Sequence, residues 1–178
     1  MNRKLKTTDL NRLNTKEFKE TDKNPIVVIL DSIRSLHNVG SVFRTSDAFR
    51  IEKIYLCGLT AQPPHKEIHK TALGATDTVE WEYVENVLDV VKSLKTKGYT
   101  LVSAEQAEET VSLEDLNSKN LPKTAFVFGN EVFGVNQEVI AASDFVLEIP
   151  QFGTKHSFNI SVSVGIVLWE AMKPYLNN

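Results

Sequence analysis

Three short segments combine polar side chains with glycine in spacings suited to binding a small polar ligand. They are HNVGSVFR at 37–44, FGNEVFGV at 128–135 and IPQFGTKHSFNISVSVG at 149–165. Each begins at or just after an apolar run rich in β-branched residues. Because glycine lets a ligand lie against bare backbone, the pattern indicates a site built from loops.

Arg44 is the charged residue of the first segment. Asn38 is typical of a helix N-cap, and Gly40 permits close backbone approach. The helix then carries Arg44 on its second turn, on the face of Gly40 and near the end of the preceding strand. Two interpretations remain open. Arg44 is either a surface or ion-paired arginine, or a clamp for a phosphate or a forming oxyanion, since guanidinium offers a planar fork of donors.

The second and third segments offer a carboxylate and two small polar groups. Glu131 is either a carboxylate stabilised by a helix N-terminus or a site carboxylate. Ser157 and Asn159 can cap a helix or point at a ligand. The small residues that follow predict tight packing against a dimer partner or a neighbouring strand. They are Ser161, Ser163 and Gly165.

Two other features favour structural over catalytic roles. His65 and His69 are four residues apart, yet no third ligand stands out, so we expect no metal site and a polar or phosphate contact instead. Cys57 lies inside the apolar run IEKIYLCGL, which favours a small buried hydrophobe over a nucleophile.

Apolar runs alternate with stretches that can be helical, which predicts an α/β fold with a parallel sheet covered on both faces. The strand candidates are PIVVILD, KIYLCG, YTLVSAE, TAFVFG and FVLEIP. The helix candidates are residues 38–49, 66–73, 84–97, 136–142 and 157–173. Ligands bind at the carboxyl ends of such strands, where all three polar segments fall.

Length and composition predict one domain. The 178 residues are 42% hydrophobic, and we expect a polar arm or leader helix over 1–24 before a domain over 25–178. Neither a membrane span nor a secretory signal is evident, so we expect a cytoplasmic protein. The net charge of −3 lacks the basic bias of a nucleic-acid binder, so any such partner must meet a local patch. Candidates are Arg34, Arg44, Arg50, Lys53, Lys66, Lys70 and Lys155.

Taken together, N-x-G-x-x-x-R, FGNE-x-x-G and IP-x-x-G-x-x-x-S-F-N-x-S-V-S resemble the three ordered motifs of the SpoU (TrmH-like) RNA 2′-O-ribose methyltransferases, in the SPOUT superfamily. The resemblance covers about residues 25–173. It implies a parallel-sheet SPOUT fold with a C-terminal deep trefoil knot, which general topology rules disfavour. It also implies a homodimer that methylates a ribose 2′-hydroxyl of tRNA or rRNA with S-adenosylmethionine. We favour tRNA because the chain is compact.

The resemblance assigns roles by position. The functional polar residues would be Asn38, Arg44, Glu131, Ser157 and Asn159. The cofactor pocket would be formed by the backbone around Ser103, Ala104 and Glu105, with Gly129, Ile149, Gln151 and Phe158. In the family, leucine is usual at the position of Phe158, and we expect the larger phenylalanine side chain to narrow the pocket. Arginine is essentially always protonated, so we expect Arg44 to bind RNA phosphate and stabilise the forming alkoxide, with the proton acceptor left open.

Two other functions fit the sequence less well. A non-catalytic RNA-binding or assembly factor that retained the fold agrees with the acidic net charge, but the motif positions are filled. An unrelated α/β hydrolase is disfavoured because neither a nucleophile elbow nor a phosphate-binding loop is present in the sequence.

Overall fold

A seven-stranded, entirely parallel sheet forms the centre of the molecule. The structure is a computed structural model that describes residues 2–176. Met1 of the predicted arm and Asn177 and Asn178 of the predicted domain lie outside the described residues. The strands are β1 (Asn24–Asp31), β2 (Ile51–Cys57), β3 (Trp81–Val84), β4 (Thr100–Ala104), β5 (Val111–Ser112), β6 (Thr124–Phe128) and β7 (Phe145–Glu148). Their order across the sheet is β3-β2-β1-β6-β4-β7-β5.

Seven α-helices among the described residues connect and cover these strands. They are α1 (Thr15–Glu20), α2 (Leu36–Ala48), α3 (Lys66–Ala72), α4 (Ala75–Thr78), α5 (Val87–Thr96), α6 (Gln137–Ala142) and α7 (Ile160–Met172). Short 3-10 turns occupy Thr7–Asp9, Leu113–Lys119 and Lys173–Tyr175. None of the helices in residues 2–176 is long and apolar enough to cross a membrane.

The central strand β1 is buried on both faces, which explains its continuous apolar sequence. Val28 and Leu30 pack into one core, with helices α1, α2, α3, α4 and α7. Val27 and Ile29 point the other way, into a second core with α5 and α6. Burying a side chain of this size contributes about 1.5–3 kcal/mol, so both layers depend on this strand. The predicted α/β fold, with a parallel sheet covered on both faces, is confirmed.

The five predicted strands and five predicted helices are present, with shifts at their ends. Strands β3 and β5 were not predicted. Strand β5 has only two residues. The segment EWEYVE of β3 is acidic; at the sheet edge its carboxylates remain exposed, and Glu80 and Glu82 both bind Lys53. Helix α1 lies within residues 1–24, for which the sequence predicts a polar arm or a leader helix. It forms because Asn14 and Glu17 make a reciprocal capping box, and Phe18 anchors it in the core.

Helix α2 begins earlier than predicted. Its N-cap is Ser35, whose side chain accepts from the backbone N–H of Asn38, so Asn38 lies in the first turn and is not the cap. Arg44 consequently lies on the third turn, not the second. Gly40 behaves as predicted, because a Cβ there would overlap Thr71 and the backbone of Ile68 in α3.

Helix α3 shows what the histidine pair does. His65 is its N-cap, and its Nδ1 accepts from the N–H of Glu67 at 3.2 Å. His69 lies in its last turn. No group of three potential metal ligands occurs within the described residues 2–176.

Candidate functional site

A cavity of about 530 Å³ lies at the carboxyl ends of β4, β6 and β7, within the size range of small-molecule sites. Three chain segments form its walls: residues 104–106, residues 128–134 and residues 147–163. This is the edge where open parallel sheets bind ligands, as the sequence predicted.

The loop after β6 is folded tightly by one side chain. The Oδ1 atom of Asn130 accepts from the N–H groups of Val132 (2.9 Å) and Phe133 (3.2 Å), and its backbone carbonyl accepts from Gly134. Its Nδ2 donates to the carbonyl of Ser32, after β1, at 2.7 Å. Asn130 therefore shapes the loop and fixes it to the neighbouring strand.

Gly129 opens this loop because no larger residue fits there. A Cβ at this position would overlap the backbone of Gly134 and Val135, which folds back across it. The close approach of two backbone segments, and not an unusual φ angle, requires glycine.

Glu131 extends from this loop to the N-terminus of α2. Its carboxylate accepts long hydrogen bonds from the backbone N–H groups of Arg34 and Ser35, both at 3.4 Å, and from Asn38 Nδ2 at 3.5 Å. The positive end of the helix dipole favours an anion at this place. Glu131 therefore lines the cavity and is also stabilised by the N-terminus of α2.

Asn159 connects the third segment to the first. It is the N-cap of α7, and its Oδ1 accepts from Ser161 N at 2.9 Å. Its Nδ2 donates to Asn38 Oδ1 at 3.2 Å. Glu131, Asn38 and Asn159 thus form one chain of hydrogen-bonded side chains across three distant segments.

Two residues after β4 brace the other walls. Glu105 Oε2 accepts from the N–H of Val135 at 2.9 Å, which holds the loop after β6. Gln106 Nε2 donates to the carbonyl of His156 at 3.1 Å, which holds the segment after β7. Gln106 was not among the predicted site residues, although its place directly after a strand could have suggested it.

Most of the predicted site residues line this cavity. Those that do are Ala104, Glu105, Gly129, Glu131, Ile149, Gln151, Ser157, Phe158 and Asn159. Asn38 joins them through its hydrogen bonds. The lining residues that the sequence reasoning missed include Gln106, Asn130, His156 and Ser163.

Ser103 and Arg44 are not brought to the cavity. Ser103 is completely buried in β4, where its Oγ shares a hydrogen bond with Ser143 Oγ at 2.8 Å. It alternates away from the cavity because successive side chains of a strand point to opposite faces. Arg44 is exposed on the third turn of α2, away from the helix end at which Glu131 lies.

The cavity is acidic within this chain. Its titratable lining residues are Glu105, Glu131 and His156, and none of the described lining residues is lysine or arginine. Carboxylates favour a ligand that carries positive charge. A phosphate at the same place would need a cation from elsewhere.

Comparison with known proteins gives one family. The sequence profile of the SpoU rRNA Methylase family matches residues 25–169. The 23S rRNA (guanosine-2′-O-)-methyltransferase RlmB of Neisseria meningitidis is 33% identical over 150 residues, which are 84% of this chain and 58% of that protein. The chain thus spans less than two thirds of that relative.

Solved structures show the same architecture. The crystal structure of the A. aeolicus TrmH/SpoU tRNA modifying enzyme matches with a TM-score of 0.78 at 27% identity, over 89% of this chain and 81% of that one. The AdoMet-bound rRNA methyltransferase from Sinorhizobium meliloti matches with a TM-score of 0.80 at 26% identity, over 89% and 60%.

Proposed function

Because the chain belongs to the SpoU rRNA methylase family, we propose that it transfers a methyl group from S-adenosylmethionine to a ribose 2′-hydroxyl of RNA. The observation that carries the proposal is the convergence of Asn38, Glu131 and Asn159 beside one cavity. These residues lie in three separate motifs, and a shared catalytic site accounts for their meeting.

The cavity suits S-adenosylmethionine in size and charge. Its volume is about 530 Å³, and Glu105 and Glu131 provide negative charge for a sulfonium ligand. The backbone at Ala104, Gly129 and Ile149 would hold the cofactor against the strand ends, and Phe158 would narrow the opening. When bound, the cofactor supplies an electrophilic methyl group. The S. meliloti relative, whose structure contains AdoMet, supports this assignment.

The chain's own residues would align the sugar. A ribose hydroxyl is a poor nucleophile at neutral pH, so the site must hold its oxygen in line with the methyl group. The Glu131, Asn38 and Asn159 chain offers oriented donors and acceptors beside the cavity for that purpose. In the proposed reaction, the ribose oxygen would bond to the methyl carbon as the S–C bond of the donor breaks. The sulfonium would become a neutral thioether that leaves as S-adenosylhomocysteine, and the hydroxyl proton would pass to water.

Arg44 would serve as an anion clamp supplied by a second copy of the chain. It is exposed and distant from the α2 N-terminus in its own chain. Helix α7, which packs on α2, leaves Val162 and Trp169 about half exposed, and a Cβ at Gly165 would meet no atom within 4 Å. We propose a homodimer through this face, which brings Arg44 of one copy to the partner's cavity.

Three further proposals follow from the family. The C-terminal segment from β7 to α7 would be threaded into a trefoil knot; its support is that β6, β4 and β7 are neighbours out of chain order. Residues 25–178 would form the catalytic domain, with 1–24 as an arm. The protein would work in the cytoplasm, in keeping with its relatives named for tRNA and rRNA.

Methyl transfer to RNA tests the function directly. Purified protein is incubated with tritiated S-adenosylmethionine and unmodified tRNA or 23S rRNA transcripts, since relatives named for either RNA are found. We expect incorporation into one of them, in a dinucleotide that resists alkaline hydrolysis because its 2′-oxygen is methylated. RNA binding without incorporation would favour the non-catalytic assembly factor and overturn the proposal.

A further inference from the structure

The segment from Pro150 to Phe158 forms a wall of the cavity with very little support. Within the described part of the chain, one hydrogen bond holds this segment, and it runs from Gln106 Nε2 to the carbonyl of His156. Eight of its nine residues are exposed, and Gln151 is half buried. Segments with few contacts and exposed backbone open at low free-energy cost.

The donor of this bond stands on a rigid base. The N–H of Glu105 donates to the carbonyl of Leu147 at 3.1 Å, and the N–H of Gln106 donates to Glu105 Oε1 at 2.9 Å. The carboxylate of Glu105 is fixed in turn by Val135. The backbone of Gln106 is therefore anchored, and its side chain extends from that anchor to the loose wall.

We propose that Gln106 is a positioning residue that sets cofactor affinity by latching the segment 150–158 in its ligand-binding conformation. The inference rests on the proposed function in one respect, that the ligand of this cavity is S-adenosylmethionine. The segment supplies four lining residues: Gln151, His156, Ser157 and Phe158. Without the latch, binding must also order this segment, which weakens it.

Calorimetry of cofactor binding tests the latch. In Gln106→Ala and Gln106→Met, which both lack the donor and add no charge to the cavity, we expect the Kd for S-adenosylmethionine to rise about fivefold, the value of one exposed hydrogen bond. Gln62, an exposed glutamine in the β2–α3 connection, provides the matched controls Gln62→Ala and Gln62→Met. A Kd for the Gln106 variants within 1.5-fold of the controls would overturn the proposal.

Kinetics separate positioning from a general loss of structure. We expect the KM for S-adenosylmethionine to rise while kcat and the KM for RNA stay within twofold of wild type. A fall in kcat with an unchanged KM for the cofactor would contradict a latch.

Limited proteolysis reports on the latch without any ligand. Trypsin should cleave after Lys155, which is exposed in this segment, faster in Gln106→Ala than in wild type, while cleavage after the exposed Lys92 of α5 should not change. Equal cleavage after Lys155 in variant and wild type would overturn the inference. If the wild type binds no S-adenosylmethionine, the proposed function fails, and the proteolysis experiment still decides whether the latch exists.

Discussion

The two loops that face each other across the cavity differ in how they are held. The loop from Gly129 to Val135 is folded around Asn130 and is also fixed to Ser32 and Glu105. Among residues 2–176, the segment from Pro150 to Phe158 is held by one hydrogen bond, from Gln106. One wall is therefore rigid and the other is loose.

The difference in support suits one wall to orienting the sugar and the other to admitting the cofactor. Glu131 lies on the rigid wall, where a group that orients a sugar must be held accurately. The loose wall carries Gln151 and Phe158, which would contact a cofactor that has to enter and leave in every cycle. Variants of the two walls should therefore fail in different ways.

The largest effect is expected from a residue on neither wall. Arg44→Ala should lower kcat for methyl transfer about 1000-fold, because a preorganised cation at a forming oxyanion contributes about that much. Affinity for S-adenosylmethionine should be nearly unchanged, since Arg44 is proposed to contact the RNA phosphate and the forming alkoxide and not the cofactor. The tritiated-methyl assay and calorimetry measure these two quantities.

A matched control removes a cation from the other side of the sheet. Lys92 is exposed on α5, so Lys92→Ala should leave kcat unaltered. Turnover by Arg44→Ala at the level of Lys92→Ala would refute the assignment of Arg44.

The next effect compares a glycine on each wall. Gly129→Val should weaken S-adenosylmethionine binding at least about 100-fold, because the added side chain overlaps the backbone of Gly134 and forces the rigid loop to move. Gly153→Val should change the affinity less than threefold, since a Cβ there meets no atom within 4 Å. Calorimetry on both variants checks the contrast. Equal losses would mean that the two walls do not differ in rigidity.

A smaller effect concerns stability. Asn130→Ala should lower the free energy of unfolding by about 2 kcal/mol, because it leaves several backbone groups without partners. Gln106→Ala should lower it by less than about 0.5 kcal/mol, the usual limit for an exposed site. Urea denaturation measures both. A similar loss of unfolding free energy in the two variants would mean that the two walls do not differ in rigidity.

The smallest effect concerns the core. Loosening the segment 150–158 should leave the buried Cys57 of β2 inaccessible to solvent. Burial, and to a lesser extent the charge of Asp31, raises the pKa of the Cys57 thiol to about 12. At pH 8 the thiol is therefore protonated, and only the thiolate reacts with alkylating reagents. Mass spectrometry should detect no labelling of folded wild type or Gln106→Ala, and full labelling in urea. Rapid labelling of folded Gln106→Ala would show that its effect reaches the core.

The fold was largely predictable because most of its strands have a distinctive apolar sequence. A strand buried on both faces, such as β1, must be continuously apolar, and the chain contains few such runs. Strand β3 could not be found in this way, because it lies at an edge and keeps Glu80 and Glu82 in solvent with Lys53. Helix α2 was predicted two residues late because Ser35, and not Asn38, supplies the cap.

The candidate site was predictable as a set of residues but not as a network. The motifs indicate Asn38, Glu131 and Asn159, yet their hydrogen bonds span 93 and 121 residues of sequence, which local spacing does not encode. Gln106 belongs to none of the motifs, so its bond to His156 could be found only from coordinates. Arg44 was expected near the end of the preceding strand, and the length of α2 separates it from the cavity of its own chain.

Helix α7 also carries a tryptophan whose fluorescence depends on whether another molecule covers the helix. Trp169 is half exposed on that helix, 6.3 Å from the ring of Phe49, whereas Trp81 packs edge-on against Phe43 beneath the sheet edge. Indole emission moves to shorter wavelength when water is excluded, so a second copy seated on α7 would change the Trp169 signal and leave Trp81 as a constant background. Dilution of the unlabelled protein in a fluorimeter would then report its own assembly.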